Sequence, residues 1–424
     1  MYHKSKLSNQ LRVASKPMKD RDSVAFGIWI GSGGRHEEEQ NKGAAHFLEH
    51  ILFKGSEHYT CEEIKEKIEG VGGSLNAFTS EEQTCYFAKI PAKHLPRTFD
   101  ILTDMVLKPL ITEEDVEKER GVILEEIKMY HDLPQYYVLE LLDELMWPNH
   151  PLGKNLAGTV ESISAMRDDH LRSFHAKQYF TGNIVVAACG KLDHSVLLDL
   201  VKEKFNREVN KNSMEFLPAE SLQTKPRMKL FKKDTEQMHV ALGMYGLDYD
   251  HSDKYALALL NIVLGGNMSS RLFDELREKR GLAYSISSSA KYLKDTGLFL
   301  VRAGVDNRKM VDALDLILKE LQKMKQASIS ADEFMRAKEY LLGQLLLGLE
   351  DTLDHMFWIG ESMITCDRIR TVREVVQQVE KVTWQDIKRI AAQVIKRDQL
   401  NLSIVGPLTS EQEKKIGGLI NAAY

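Results

Sequence analysis

Val24-Ala25-Phe26-Gly27, inside the alternating run Val24, Phe26, Ile28, Ile30, has a near copy in Val240-Ala241-Leu242-Gly243, inside the run Val240, Leu242, Met244. The two stretches are 216 residues apart, and the same offset returns later in the chain. A helical pattern starting at Met166 or Val382 leads in each case to an apolar run closed by Gly190-Lys191-Leu192 or Gly406-Pro407-Leu408. One spacing shared by the start and the end of each half describes a duplicated unit of about half the chain, not a short solenoid repeat. The period-2 alternation predicts half-buried strands at 24–30 and 240–244. Helical periodicity follows at 98–107, 112–130 and 136–147, and again at 308–325 and 331–350. Helices segregated from short alternating strands give the expected fold class: α+β, with two homologous lobes, each with largely antiparallel sheets packed against helices. The expected boundaries are a first lobe over 1–214, a linker over 215–228 and a second lobe over 229–424. The linker is placed where periodicity fails and Pro218 and Pro226 interrupt the pattern.

With 424 residues, 43% of them hydrophobic, the chain can fill more than one core. Its 57 Lys+Arg against 62 Asp+Glu leave a net charge of −5, which gives no basic footprint for nucleic acid or an anionic membrane surface. No apolar run reaches the length of a signal peptide or a membrane helix. Cys61, Cys85, Cys189 and Cys366 lie far apart and form no Cys-x-x-Cys pair. The expectation is therefore a cytoplasmic protein with free thiols, without a disulfide framework or a thiolate metal site.

Chemistry concentrates at His46-Phe47-Leu48-Glu49-His50. Ala44, Leu48, Ile51 and Leu52 form an apolar helical stripe, and at about 100° per residue His46 and His50 lie only about 40° apart, with Glu49 on the same side. Two imidazoles at i and i+4 can occupy two corners of a zinc tetrahedron, and a carboxylate beside the open corner can take a proton from water. The order inverts the commoner His-Glu-x-x-His motif. Two solvated histidines with a helix-stabilising glutamate would read the same way, but a downstream helix weighs against that. In the stretch 116–128, Val116, Ile123 and Ile127 mark an apolar face, and Glu119 and Glu126, two turns apart, fall within it or at its edge. An ionised carboxylate there is costly unless a cation meets it. Glu126, rather than Glu125, is the expected third ligand, with Glu119 supporting a ligand or water. A buried ion pair with Lys or Arg is the other reading of Glu119.

These residues resemble the pitrilysin-type inverzincin metallopeptidases, specifically the mitochondrial processing peptidase β-subunit and its bacterial relatives. The resemblance spans nearly the whole chain, through Gly31-Ser32-Gly33-Gly34-Arg35, Gly43 to Gly55, Gly73 to Thr79, Glu119 to Glu126 and His150-Pro151-Leu152-Gly153. It implies Zn²⁺ on His46, His50 and Glu126, Glu49 as general base, and Asn76 and Ala77 on a sheet edge that takes up a peptide as an added strand. It also implies that Arg277 and Tyr284 are an Arg/Tyr pair that holds the substrate carbonyl and backbone. From the residues alone, a surface arginine and a packed tyrosine would be the better reading of that pair. Aligning Gly55 with Gly265 puts Ala256, Leu259 and Leu260 where His46, Glu49 and His50 stand, so the second lobe is expected to lack a metal site. Full-length members of the family join four such domains, whereas this chain has two, which implies a homodimer enclosing a peptide chamber.

A non-catalytic scaffold subunit of a processing complex is a competing class, opposed by the intact ligand set. Nucleotide binding through Gly31-Ser32-Gly33-Gly34 is not supported, because no Gly-Lys-Ser/Thr follows and His36-Glu37-Glu38-Glu39 would repel phosphate.

Overall fold

A computed structural model describes residues 1–206, 216–220, 223–326 and 329–422. In chain order the first half runs β1 (His3–Lys6), β2 (Arg12–Pro17), β3 (Ser23–Ile30), α1 (Ala44–Leu52), α2 (Cys61–Glu69), β4 (Ser74–Thr79), β5 (Thr84–Pro91), α3 (Leu95–Leu107), α4 (Glu113–Asp132), α5 (Pro134–Met146), α6 (Val160–Ala165), α7 (Asp168–Gln178), β6 (Ile184–Gly190) and α8 (His194–Lys204). The second runs β7 (Arg227–Lys232), β8 (Gln237–Tyr245), α9 (Lys254–Leu264), β9 (Ala283–Tyr292), β10 (Gly297–Asp306), α10 (Met310–Gln326), α11 (Ala331–Gly348), α12 (Thr352–Cys366), α13 (Val372–Lys381), α14 (Trp384–Val394), β11 (Asn401–Gly406) and α15 (Ser410–Ala422). The duplication holds: α7 and α14 begin at Asp168 and Trp384, 216 residues apart, and β6 and β11 close on Gly190 and Gly406 at the same offset.

Each unit is built on one sheet. The first has the strand order β1-β2-β6-β3-β5-β4, the second β7-β11-β8-β10-β9. All neighbours are antiparallel except β2 with β6 and β7 with β11, so each mixed sheet is largely antiparallel, as expected. The edge strand of the first sheet beyond β5 is β4.

The compact units depart from the expected boundaries at two segments. One unit comprises Met1–Ile127, Asn155–Leu217 and Leu346–Arg370, and the other Lys128–Lys154, Pro218–Leu345 and Thr371–Tyr424. Each half thus lends a helix to the other sheet, for a reason visible in the side chains. In α5, Val138, Leu141, Leu142 and Met146 are buried against Ala241, Leu298, Leu300 and Val405 of the second sheet. In α12, Met356, Ile359 and Met363 are buried against Ala25, Trp29, Val185 and Ala187 of the first. A Cβ at Gly360 would stand 2.1 Å from Trp29 Nε1, so only glycine allows this approach.

The exchange also corrects the half-buried strands. Val24, Phe26, Ile28 and Ile30 join the main core of the first unit as expected, but α12 covers the opposite face, leaving Ala25 and Trp29 buried as well. Fully covered strands read as nearly continuous apolar runs, and β6, buried along its whole length, is one. One of the points where the chain passes between units, Leu217–Pro218, falls inside the expected linker, and β7 begins at Arg227, two residues before the expected lobe start. Linker residues Glu215, Ser221 and Leu222 lie outside the described residues.

Candidate metal centre

Helix α1 buries Ala44, Ala45, Phe47, Leu48, Ile51 and Leu52, which leaves His46, Glu49 and His50 on the other side, half-buried. Its N-cap is Gly43, at φ 87°, where a Cβ would meet Ile163 Cδ1 at 2.7 Å and the Ala157 carbonyl at 2.8 Å. A glycine cap has no side chain to receive the free amides of the first turn. Glu37 supplies that acceptor from outside the helix: Gly43 N–H donates to its Oε2 and Ala45 N–H to its Oε1, both at 2.9 Å.

Helix α4 brings the third carboxylate. Thr112 caps it, accepting from Asp115 N–H at 3.1 Å. Val116, Glu119, Ile123 and Ile127 are its buried residues, so Glu119 does sit in the apolar face. One cation and one imidazole meet it: Lys54 Nζ lies 2.5 Å from Oε1, and His50 Nδ1 lies 3.1 Å from Oε2. Glu119 thus forms the buried ion pair with Lys54 and also stands within hydrogen-bond distance of His50. Because a carboxylate only accepts, His50 Nδ1 carries the proton and its Nε2 lone pair is left free for a cation.

The structure brings His46, His50 and Glu126 together. Glu126 Oε2 stands 3.7 Å from Nε2 of each histidine, and the three ligating atoms lie within 4.8 Å of one another. These separations are too long for hydrogen bonds. They suit donors flanking one ion, since atoms bound to zinc at about 2.0–2.2 Å in a tetrahedron stand about 3–4 Å apart. Burial, with the neighbouring His50, lowers the His46 pKa to about 4, so its imidazole is neutral at pH 7, the form that donates a lone pair. Two neutral nitrogens and one carboxylate fit Zn²⁺. Glu125, the alternative ligand, is exposed.

Glu49 lies beside the triad. Burial raises its pKa and the Glu126 charge adds to this, while Thr79 of β4 and His50 pull the other way. A carboxylate held beside a metal ligand set can accept a proton from water there. Asn76 and Ala77 lie mid-way along the edge strand β4, where the Asn76 side-chain oxygen accepts from Ala77 N–H at 2.8 Å. Glu57, His58 and Asp104 also converge, but those carboxylates are already paired with Lys108 and His58.

In the second unit, Arg277 lies in a single wide π-type turn, Phe273–Glu278, and Tyr284 in β9. The guanidinium carbon is 5.8 Å from the centre of the Tyr284 ring. A packed tyrosine is not what the structure shows: Tyr284 is 74% exposed. In α9, Ala256, Leu259 and Leu260 are buried core residues and offer no ligand.

Residues 12–160 match the family model for insulinase (peptidase family M16), and residues 166–341 match the model for the peptidase M16 inactive domain. An uncharacterized zinc protease of Streptomyces coelicolor is 38% identical over 97% of this chain and 90% of its own length. The chain belongs to peptidase family M16. Another M16-like relative, an uncharacterized zinc protease of Bacillus subtilis, is 34% identical over 94% of this chain and 97% of its own. The M16 fold recurs in a protease from Helicobacter pylori, with a TM-score of 0.91 at 24% identity, covering 96% of this chain and 99% of that one. It recurs again in a peptidase M16 inactive domain from Pseudomonas fluorescens, with a TM-score of 0.88 at 18% identity, covering 96% and 98%.

Glu37 was not legible as a site residue, because a glutamate six residues ahead of a helix resembles any loop charge. The available signal was the helix itself, which starts on Gly43 with no Ser, Thr, Asp or Asn to cap it. We expect Glu37→Ala to lower the unfolding free energy by about 2 kcal/mol or more, since it leaves two buried amides without acceptors. The pH dependence should be distinctive. Burial, against the hydrogen bonds from Ala45 and Gly43, raises the Glu37 pKa to about 7. The folded protein thus holds this proton more tightly than the unfolded chain, and the contribution is lost as pH rises from about 4.5 to about 7. Metal-free His46 acts in the opposite sense, losing stability as pH falls from about 6.5 to about 4. Glu37→Gln removes the carboxyl effect and leaves that of His46, so metal-free stability, followed by denaturant unfolding, should climb more steeply between pH 4.5 and 6.5 than in the parent.

Proposed function

We propose that this chain is a zinc-dependent endopeptidase of the bacterial subgroup resembling the processing peptidase β-subunit, cleaving peptides or unfolded segments in a chamber formed by two copies. The observation that carries this reading is the meeting of His46, His50 and Glu126 within 4.8 Å of one another, with Glu49 beside them. The zinc-protease names of the relatives support it.

His46, His50 and Glu126 would hold the ion, and Glu119 fixes the His50 tautomer that leaves Nε2 available. When bound, Zn²⁺ supplies a Lewis acid for a peptide carbonyl and acidifies water. Glu49 takes the proton of the attacking water on its carboxylate and delivers it to the leaving amine nitrogen. Backbone groups of β4 around Asn76 and Ala77 align an extended peptide by strand addition, which reads main chain more than side chains. Arg277 and Tyr284 donate hydrogen bonds to the substrate carbonyl and backbone. The proposed assembly is a homodimer and the proposed setting the cytoplasm. Among the described residues no helix is long and apolar enough to cross a membrane, and all four cysteines are free thiols.

The test is elemental analysis paired with cleavage of fluorogenic peptides. About one zinc per chain is expected, with cleavage abolished by a chelator and restored by adding Zn²⁺. Freshly purified protein that neither contains nor takes up metal, and leaves peptides of graded length intact, would show a scaffold subunit instead.

A further inference from the structure

The segment Gly33-Gly34-Arg35 is left unused by the proposed chemistry, yet it contains a fully enclosed guanidinium. Arg35 is 2% exposed, and burying a charge is expensive unless its partners are well placed. They are: Nη1 donates to Glu82 Oε1 at 2.6 Å, Nη2 donates to the Leu217 carbonyl at 2.8 Å, and the guanidinium lies 4.2 Å from the centre of the Phe216 ring. Glu82 belongs to the turn joining β4 to β5. The backbone ties the same two places together, with Gly34 N–H donating to the Ser80 carbonyl at 3.1 Å and Arg35 N–H to the Glu81 carbonyl at 2.7 Å. The approach is so close that a Cβ on Gly33 would stand 2.0 Å from the Ser80 carbonyl oxygen.

Phe216 and Leu217 close the second of the three segments of the first unit, where the chain passes to the other unit at Pro218. The turn at 80–83 is the end from which the edge strand β4 hangs, and β4 carries Asn76, Ala77 and Thr79. We infer that Arg35 is a positioning residue: it clamps the exit of the chain from the first unit to the β4–β5 turn and thereby holds the β4 edge in register for an incoming peptide strand. The inference rests on the peptidase reading for what β4 receives, but not for the clamp itself. The metal helix takes its N-terminal acceptors from Glu37 and not from Arg35, so zinc content is expected to hold while strand binding weakens.

The test uses the full-length protein with two substitutions. Arg35→Lys keeps a charge for Glu82 but cannot reach both acceptors in a planar fork, and Phe216→Leu removes the ring while leaving the arginine in place. Three quantities are read: zinc content, kcat and KM on a fluorogenic peptide, and the Kd of a labelled uncleavable peptide. Amide exchange of residues 80–84 is compared with that of α1. Arg35→Lys is expected to raise KM and Kd about tenfold, the weight of one charge-assisted hydrogen bond, with kcat and zinc unchanged and faster exchange at 80–84 only. Phe216→Leu should move the same quantities in the same direction, by about threefold. Unchanged KM, Kd and exchange would overturn the inference, as would a loss of kcat and zinc alongside the rise in KM, the mark of general unfolding. If even the parent cleaves nothing, the peptidase reading fails; a tenfold weaker Kd in Arg35→Lys would still uphold the clamp.

Discussion

Glu49→Gln is expected to keep its zinc and lose its turnover. The exchange preserves the shape of the side chain and leaves His46, His50 and Glu126 untouched, so metal content should match the parent. An amide cannot take a proton from water at neutral pH, and removing a positioned base costs on the order of 10²–10⁴-fold in kcat. Glu49 is suited to the role by its surroundings: burial pushes its carboxyl up, and the Glu126 charge pushes it further, against the pull of Thr79 and His50. Zn²⁺ beside it would add a positive charge and favour ionisation, so the carboxylate form needed for catalysis should dominate in the loaded protein. In a pH–rate profile the acidic limb should therefore be present in the parent and absent from the residual rate of Glu49→Gln. Zinc-replete Glu49→Gln that still turns over at the parent rate would require a base elsewhere.

The sequence made the His46–His50 helix legible because two periodicities agreed there. The apolar stripe fixed which side of α1 faces the core, and the inverted motif then had only one direction left to point. The same logic picked Glu126 over Glu125, since a one-residue step on a helix turns a side chain by about 100°, and the structure places Glu125 in solvent. The exchange of α5 and α12 between units was not legible. Both helices have ordinary amphipathic patterns, and nothing in such a pattern names the sheet that will cover it. The consequence spread to β3, where Ala25, Gly27 and Trp29 between the larger apolar residues looked like a solvent face and are instead the seat of α12. Arg35 hid for a related reason: an arginine after Gly-Ser-Gly-Gly looks like surface chemistry, and its burial depends on Glu82 and on the chain at 216–217, which are distant in sequence.

Graded loss of metal along α4 is the second large effect expected. Glu126→Gln should strip the site, Glu119→Gln should weaken it, and Glu125→Gln should do nothing. Glu126 Oε2 stands 3.7 Å from both His46 Nε2 and His50 Nε2. Zinc held by a few protein side chains binds with roughly 10–16 kcal/mol. If the anionic member of the set contributes even 3–4 kcal/mol of that, its loss lowers affinity by about 10²–10³-fold. Glu119 acts one step back, through the His50 Nδ1–H that it accepts at 3.1 Å, and changes to such partners typically cost about 10–100-fold. Its removal also leaves Lys54 without the carboxylate that now lies 2.5 Å away, so Glu119→Gln should be the one variant of the three that loses stability as well as metal. The readout is zinc affinity by competition with a chromophoric chelator, together with the rise in melting temperature on adding Zn²⁺, which follows the ratio of free metal to Kd and should be smallest in Glu126→Gln. The reverse pattern, with zinc lost from Glu125→Gln and kept in Glu126→Gln, would require α4 to be turned by one residue. That rotation would expel Val116, Ile123 and Ile127 from the core, so the metal assignment and the packing of this helix stand or fall together.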